Sequence, residues 1–254
     1  MKRLFLLVLI ALVISGCQSN ESEPVSITVA AAASLSDAMK ELNSVYEKEH
    51  PGTDITLNLA SSGVLANQIK QGAPIDVFLS ASESHFQNVK QEELLEPEYQ
   101  MPLLKNHLVL IKSRSSTITK LEQLGSQEVK RIAIGTPETV PAGAYAKEAL
   151  QSENLWNKLE EDLIYGKDVR QVLTYVETGN ADAGIVYETD YLTSNKVELV
   201  ENISEESYSP IIYPAGVIRG AGEEAVNYYS FLQSKKAKAI FESYGFQSDV
   251  SNND

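Results

Sequence analysis

Four segments of this chain pass from a strand-like run into a helical pattern through small or hydroxyl-bearing residues: Ala31-Ala32-Ala33-Ser34, Ser61-Ser62-Gly63, Val140-Pro141-Ala142-Gly143 and Asp168-Val169-Arg170. The first N–H groups of a helix have no partner inside it, and the helix dipole is positive there. Such openings favour anions. Ser34 and Ser62 add hydroxyls, and Tyr187 adds a phenol at the end of Gly184-Ile185-Val186-Tyr187. Pro141 suits a first helical turn because its missing N–H would be unpaired there anyway. Together the set suits hydrogen-bond donation to a small tetrahedral oxyanion.

Each member also has a plain structural reading. Ser34, with Asp37 three residues on, fits a helix cap, and Ser62 fits a second. Asp168 reads as an N-cap, Arg170 as a solvated or lobe-pairing charge, and Tyr187 as a tyrosine at the edge of a core. The joint occurrence is more specific than any member.

A hydrolase using a turn serine is the rival of a different class. The chain has no Gly-x-Ser-x-Gly elbow. His50 precedes Pro51 at a helix end, His85 falls in a polar helix and His107 falls near a lobe crossing. No two are spaced as metal ligands. No catalytic residue, direct metal coordination or cofactor is therefore assigned. An amino-acid binder would need an Arg and a carboxylate in its cleft, whereas these turns offer chiefly neutral groups.

The elements that must position these residues alternate between strand and helix. Ile27–Ala33 reads as a buried strand, and apolar residues from Leu35 to Tyr46 recur at helical spacing. Strands at Ile55–Leu59 and Asp76–Ser80 flank a helix reaching Gly72, a βαβαβ series that implies a parallel sheet. Leu108–Ile111, Ile132–Ile134, Ala183–Tyr187 and Ile211–Ile218, the last broken by Pro214, read as further strands. Helices are expected from Pro141, over about 168–178, and over about 223–233 and 235–244. The fold class is α/β, in two lobes with a ligand cleft between them and two hinge crossings, near 105 and 214. Lobe I is set at 25–104 plus 215–250, and lobe II at 105–214. Ligands in open α/β sheets sit at the carboxyl ends of strands, which puts all four openings at the cleft.

Residues 1–16 read as a lipoprotein signal peptide. Lys2 and Arg3 precede an apolar core over 4–14 that is too short to span a bilayer permanently. Ile14-Ser15-Gly16-Cys17 resembles a lipobox, and Cys17 is the chain's single cysteine. Residues 17–24 read as a lipidated Cys and a flexible tether, holding the body at the extracytoplasmic face of the cell membrane. Without the signal segment, 19 basic side chains face 35 acidic ones. That balance argues against nucleic acid and against electrostatic attachment to anionic lipid. It also repels anions at long range, so an anion site must work through short-range hydrogen bonds.

The chain resembles the substrate-binding proteins of bacterial molybdate ABC transporters, which have a class II periplasmic-binding-protein fold. The matching stretches are Ala31–Leu35, Ala60–Gly63, Gly72–Phe78, Val140–Gly143 with Tyr145–Leu150, Asp168–Arg170 and Gly184–Tyr187. Ile240-Phe241 and Tyr244-Gly245-Phe246 match near the C-terminus. The resemblance extends over nearly all of the chain beyond the signal segment. The resemblance implies an oxyanion held by Ser34, Ser62, the backbone N–H groups of Ala142 and Val169, and Tyr187. It implies molybdate or tungstate as the ligand, delivery to the membrane permease of an ABC importer, and a monomer. Gly63 departs from members with a third Ser there, which loosens the turn and removes no assigned ligand. Another tetrahedral oxyanion such as sulfate, bound on the same fold, is the alternative.

Molybdate and tungstate are fully deprotonated at neutral pH, so a donor-only site satisfies every oxygen. Hydrogen phosphate brings an O–H that such a site leaves unpaired, costing about 1–3 kcal/mol, or one to two decades of affinity. Sulfate is equally deprotonated. Only cage size excludes it, and the preference for molybdate over sulfate rests on the resemblance.

Overall fold

The computed structural model describes residues 24–127 and 129–248. The signal segment, Cys17 and the tether before Pro24 lie outside the described residues. No helix among the described residues is long and apolar enough to cross a membrane.

The strands build two five-stranded sheets. In the first, β1 (Val25–Ala32) pairs in parallel with β2 (Thr53–Ala60) and β3 (Val77–Leu79). Helices α1 (Ser36–Glu49) and α2 (Ser62–Lys70) make the crossovers. The parallel series expected from the sequence is therefore present. It is extended by two antiparallel strands that the series did not announce, β10 (Ile211–Ile218) against β3 and β4 (Leu95–Asn106) against β10. Pro97 and Pro102 obscured β4, yet it is the edge strand of the order β2-β1-β3-β10-β4, where a missing N–H is tolerated. Pro214 does not break β10. The ladder shifts register between Tyr213 and Pro214 and continues.

In the second sheet, β6 (Ile132–Gly135) pairs in parallel with β7 (Leu163–Gly166) and β8 (Ala183–Tyr187). Strand β5 (Leu108–Ser113) lies antiparallel to β8 and to β9 (Val197–Asn202). Strands β7 and β9 are the two edges. They are short and half-exposed, so neither carries the long apolar run that marks a central strand. Helices α3 (Glu83–Gln91), α4 (Pro141–Ser152), α5 (Trp156–Leu159), α6 (Val169–Glu177), α7 (Glu188–Leu192), α8 (Glu223–Leu232) and α9 (Lys235–Ser243) complete the two lobes.

The chain leaves the first sheet at Asn106, enters the second at Leu108, and returns between Asn202 and Ile211. Boundaries at 104/105 and 214/215 each cut a strand, since β4 runs on to Asn106 and β10 starts at Ile211. The C-terminal helices belong with the first sheet. Glu224 of α8 accepts from Tyr46 and Thr53 at 2.8 and 2.7 Å, and Tyr228 donates to Asn43 at 2.5 Å.

Candidate functional site

Six strand ends point at one place. β1, β2 and β3 of lobe I and β6, β7 and β8 of lobe II run in parallel within their sheets, and the turns at their carboxyl ends meet across the cleft. Ser34, Ser62, Ala142, Val169 and Tyr187 line a single small cavity there, with Ala32, Ala33, Ala81, Val140 and Pro141. Its volume is about 10 Å³. That is roughly the room of one water molecule, so the two lobes lie close together here. None of His50, His85 and His107 lines it. His50 stacks on Tyr46, and His107 Nδ1 lies 3.0 Å from Glu205 Oε1. No group of three or more His, Cys, Asp or Glu among the described residues could hold a metal ion.

The serines do not cap helices. Ser34 sits inside a 3-10 turn, Ala33–Leu35, ahead of α1, and its Oγ is 2.9 Å from the Tyr213 hydroxyl. The capping reading fails for Ser62 too: it opens α2 after Ser61, and its Oγ accepts the N–H of Ala81 at 2.9 Å. Ser62 thus has an acceptor position filled by the protein and a proton left for the cavity. Ala81 follows β3 as Ser62 follows β2. It was missed because alanine carries no functional side chain; its place after a parallel strand was the available signal.

Lobe II offers a different set. Ala142 and Val169 lie in the first turns of α4 and α6, where the helix supplies no acceptor for their N–H groups. Asp168 is the N-cap that its sequence suggested, accepting from Gln171 N–H at 2.8 Å. Gly143 serves packing rather than the ligand, because a Cβ there would run into the carbonyl of Gly135 at the end of β6. The Tyr187 hydroxyl is buried with no hydrogen-bond partner. Burial, reinforced by Tyr213, Tyr145 and Asp190, holds its pKa well above the usual 10, so it remains a proton donor.

Two contacts draw the lobes together at the cavity's rim. Gly63 N–H donates to the Thr139 carbonyl at 3.0 Å. A Cβ on Gly63 would sit 2.7 Å from that oxygen, closer than real Cβ atoms come. The glycine does not loosen the turn, as its sequence suggested; it admits the backbone of lobe II. Arg170 is lobe-pairing rather than solvated. Its Nη2 lies 2.9 Å from Asp37 Oδ2 on α1, and its Nε lies 2.7 Å from Asp190 Oδ1 on α7. Burial pushes the Asp190 carboxyl up to about 7 against the opposing pull of Arg170. No cationic side chain lines the cavity itself.

Two α/β lobes with a small donor-lined cleft define a two-lobed solute-binding protein. The chain belongs to the bacterial extracellular solute-binding protein family, which it matches over residues 27–247. It is 44% identical over 94% of its length, and 94% of the relative's, to YvgL of Bacillus subtilis, a protein named provisionally as an ABC transporter substrate-binding lipoprotein. It is 36% identical to the molybdate-binding protein ModA of Haemophilus influenzae, over 93% of this chain and 95% of that one. The periplasmic molybdate-binding protein of Azotobacter vinelandii superposes with a TM-score of 0.78, covering 87% of this chain and 98% of its own at 23% identity, which speaks for the fold alone. The protein is thus an extracellular solute-binding protein and not an enzyme.

Proposed function

We propose that the cleft binds molybdate, and tungstate equally, and that the protein hands it to the permease of its importer. The ligand oxygens would be held by the hydroxyls of Ser34, Ser62 and Tyr187 and the N–H groups of Ala142 and Val169. The observation that carries the reading is the state of the polar atoms at the cavity. Ser62 Oγ already accepts a backbone proton, and the buried Tyr187 hydroxyl has none of its bonds made. A buried hydroxyl left unpaired costs about 1–3 kcal/mol, which an acceptor oxygen in the cavity removes. The name of the Haemophilus influenzae relative supports the choice of ion. We further propose that the body acts as a monomer, tethered to the membrane through lipid on Cys17, with its two lobes dividing near residues 105 and 214.

Sulfate is the second reading, since it too is fully deprotonated and differs only in size. A thermal-shift panel of molybdate, tungstate, sulfate, phosphate and amino acids tests the proposal. Ligand that binds the folded state alone raises its melting temperature by mass action. Molybdate and tungstate should give the largest rises. No response to either would refute the reading, and a response to sulfate alone would replace it.

A further inference from the structure

Tyr213 and Asn106 are buried polar residues at the two places where the chain changes sheet, and neither lines the cavity. Asn106 ends β4 at one crossing, and Tyr213 lies in β10 just past the other. Their hydrogen bonds form one directed chain. The backbone N–H of His107 donates to Asn106 Oδ1 at 2.9 Å, which fixes the orientation of the amide. The two Nδ2 protons then go to Thr189 Oγ1 at 2.8 Å and to the Tyr213 oxygen at 3.2 Å. Tyr213 has a single proton of its own, and Ser34 Oγ lies 2.9 Å from its oxygen. Burial keeps that phenol protonated, its pKa raised well above 10. With the Tyr213 oxygen accepting from Asn106, a Tyr213 proton given to Ser34 would leave the Ser34 proton for the cavity.

We propose that Asn106 and Tyr213 are positioning residues that hold the Ser34 hydroxyl as a donor to the cavity. The proposal rests on the oxyanion reading given above. A ligand oxygen at Ser34 then meets a hydroxyl whose proton is aimed into the cavity, and Ser62 Oγ, which accepts the Ala81 N–H, is likewise held from within lobe I.

The test is a double-mutant cycle read by calorimetry with molybdate, on wild type, Tyr213→Phe, Ser34→Ala and the double variant. The phenylalanine keeps the ring against Tyr187 and Phe246. Tyr213→Phe should weaken binding about tenfold in the wild-type background and scarcely at all in the Ser34→Ala background, because the hydroxyl acts through Ser34. Equal losses in both backgrounds, or no loss in the first, would overturn the proposal. Should Tyr213→Phe not fold, Asn106→Asp serves: a carboxylate only accepts, so it draws the Tyr213 proton away from Ser34. Its loss should again be larger with Ser34 present, and an equal loss would overturn the proposal. The wild type separates the two ideas. Failure to bind molybdate or tungstate at all overturns the functional reading and this proposal together, whereas tight binding with an additive cycle overturns this proposal alone.

Discussion

The two halves of the cleft meet an anion by different means. Lobe I presents side-chain hydroxyls already bonded within the protein, Ser34 to Tyr213 and Ser62 to the Ala81 N–H. Lobe II presents first-turn N–H groups and a phenol with no partner. The two lobe I serines assigned to the ligand are thus held in place before any ligand arrives, although the neighbouring buried Ser61 Oγ has no partner. Lobe II has unmet hydrogen bonds that the ligand completes. A preorganised half binds with less reorganisation, so lobe I is suited to take the anion first and lobe II to close over it.

The largest effect should come from keeping the halves apart. Gly63→Val places carbon atoms where the Thr139 carbonyl sits. We predict at least a hundredfold loss of affinity, the order of one or two buried donors lost with closure. Small-angle scattering should show a variant that stays open on adding molybdate; closure with unchanged affinity would refute the role of this contact.

The next prediction separates the halves. Ser34→Ala removes a ligand donor and also leaves the Tyr213 proton without its acceptor. It should lower the melting temperature of the ligand-free protein and weaken molybdate binding by about one to two decades. Tyr187→Phe removes a hydroxyl that had no partner. It should weaken binding by about tenfold while leaving the ligand-free melting temperature unchanged or higher. Equal melting temperatures for the two variants would erase the distinction between the lobes.

Asp190 gives a pH signature centred on lobe II. Its folded-state pKa of about 7 lies above the ordinary carboxyl value. The folded protein therefore holds this proton where the unfolded chain has lost it, and the stability it contributes, present in full below about pH 4, falls as pH rises to about 7. In Asp190→Asn the side chain stays neutral, so melting temperature should fall less between pH 5 and 8 than in wild type. Parallel curves would show that Asp190 does not titrate in this window. The smallest effect is expected from Asp37→Asn, which removes the half-exposed partner of Arg170 across the cleft. Such pairs contribute about 0–1 kcal/mol. Ligand release should quicken by a few-fold at most, and only at low salt.

Much of this arrangement was legible in the sequence because the rule that places ligands at the carboxyl ends of parallel strands needs only strand–turn–helix order. Ser34, Ser62, Ala142, Val169 and Tyr187 all announced themselves as endings or openings, and the cavity gathers all five. What was hidden depends on pairing between distant segments. β4 was masked by prolines that only an edge position tolerates, and the antiparallel entry of β10 cannot be read from local periodicity. Tyr213, Asn106 and Ala81 look like ordinary strand and turn residues until the sheet brings them beside the serines. Gly63 looked like a lost serine because the residue it makes room for, Thr139, lies in the other lobe.

The central claim is that one deprotonated tetrahedral oxyanion sits between the two unlike halves. A crystal structure of the tungstate complex tests it most directly, since the anomalous signal locates the metal without reference to the protein. The account predicts a single site between Ser34, Ser62, Ala142, Val169 and Tyr187, with both serine oxygens and the Tyr187 hydroxyl within hydrogen-bond distance of the oxyanion. Tungsten bound elsewhere, or a cavity occupied without those contacts, would contradict it.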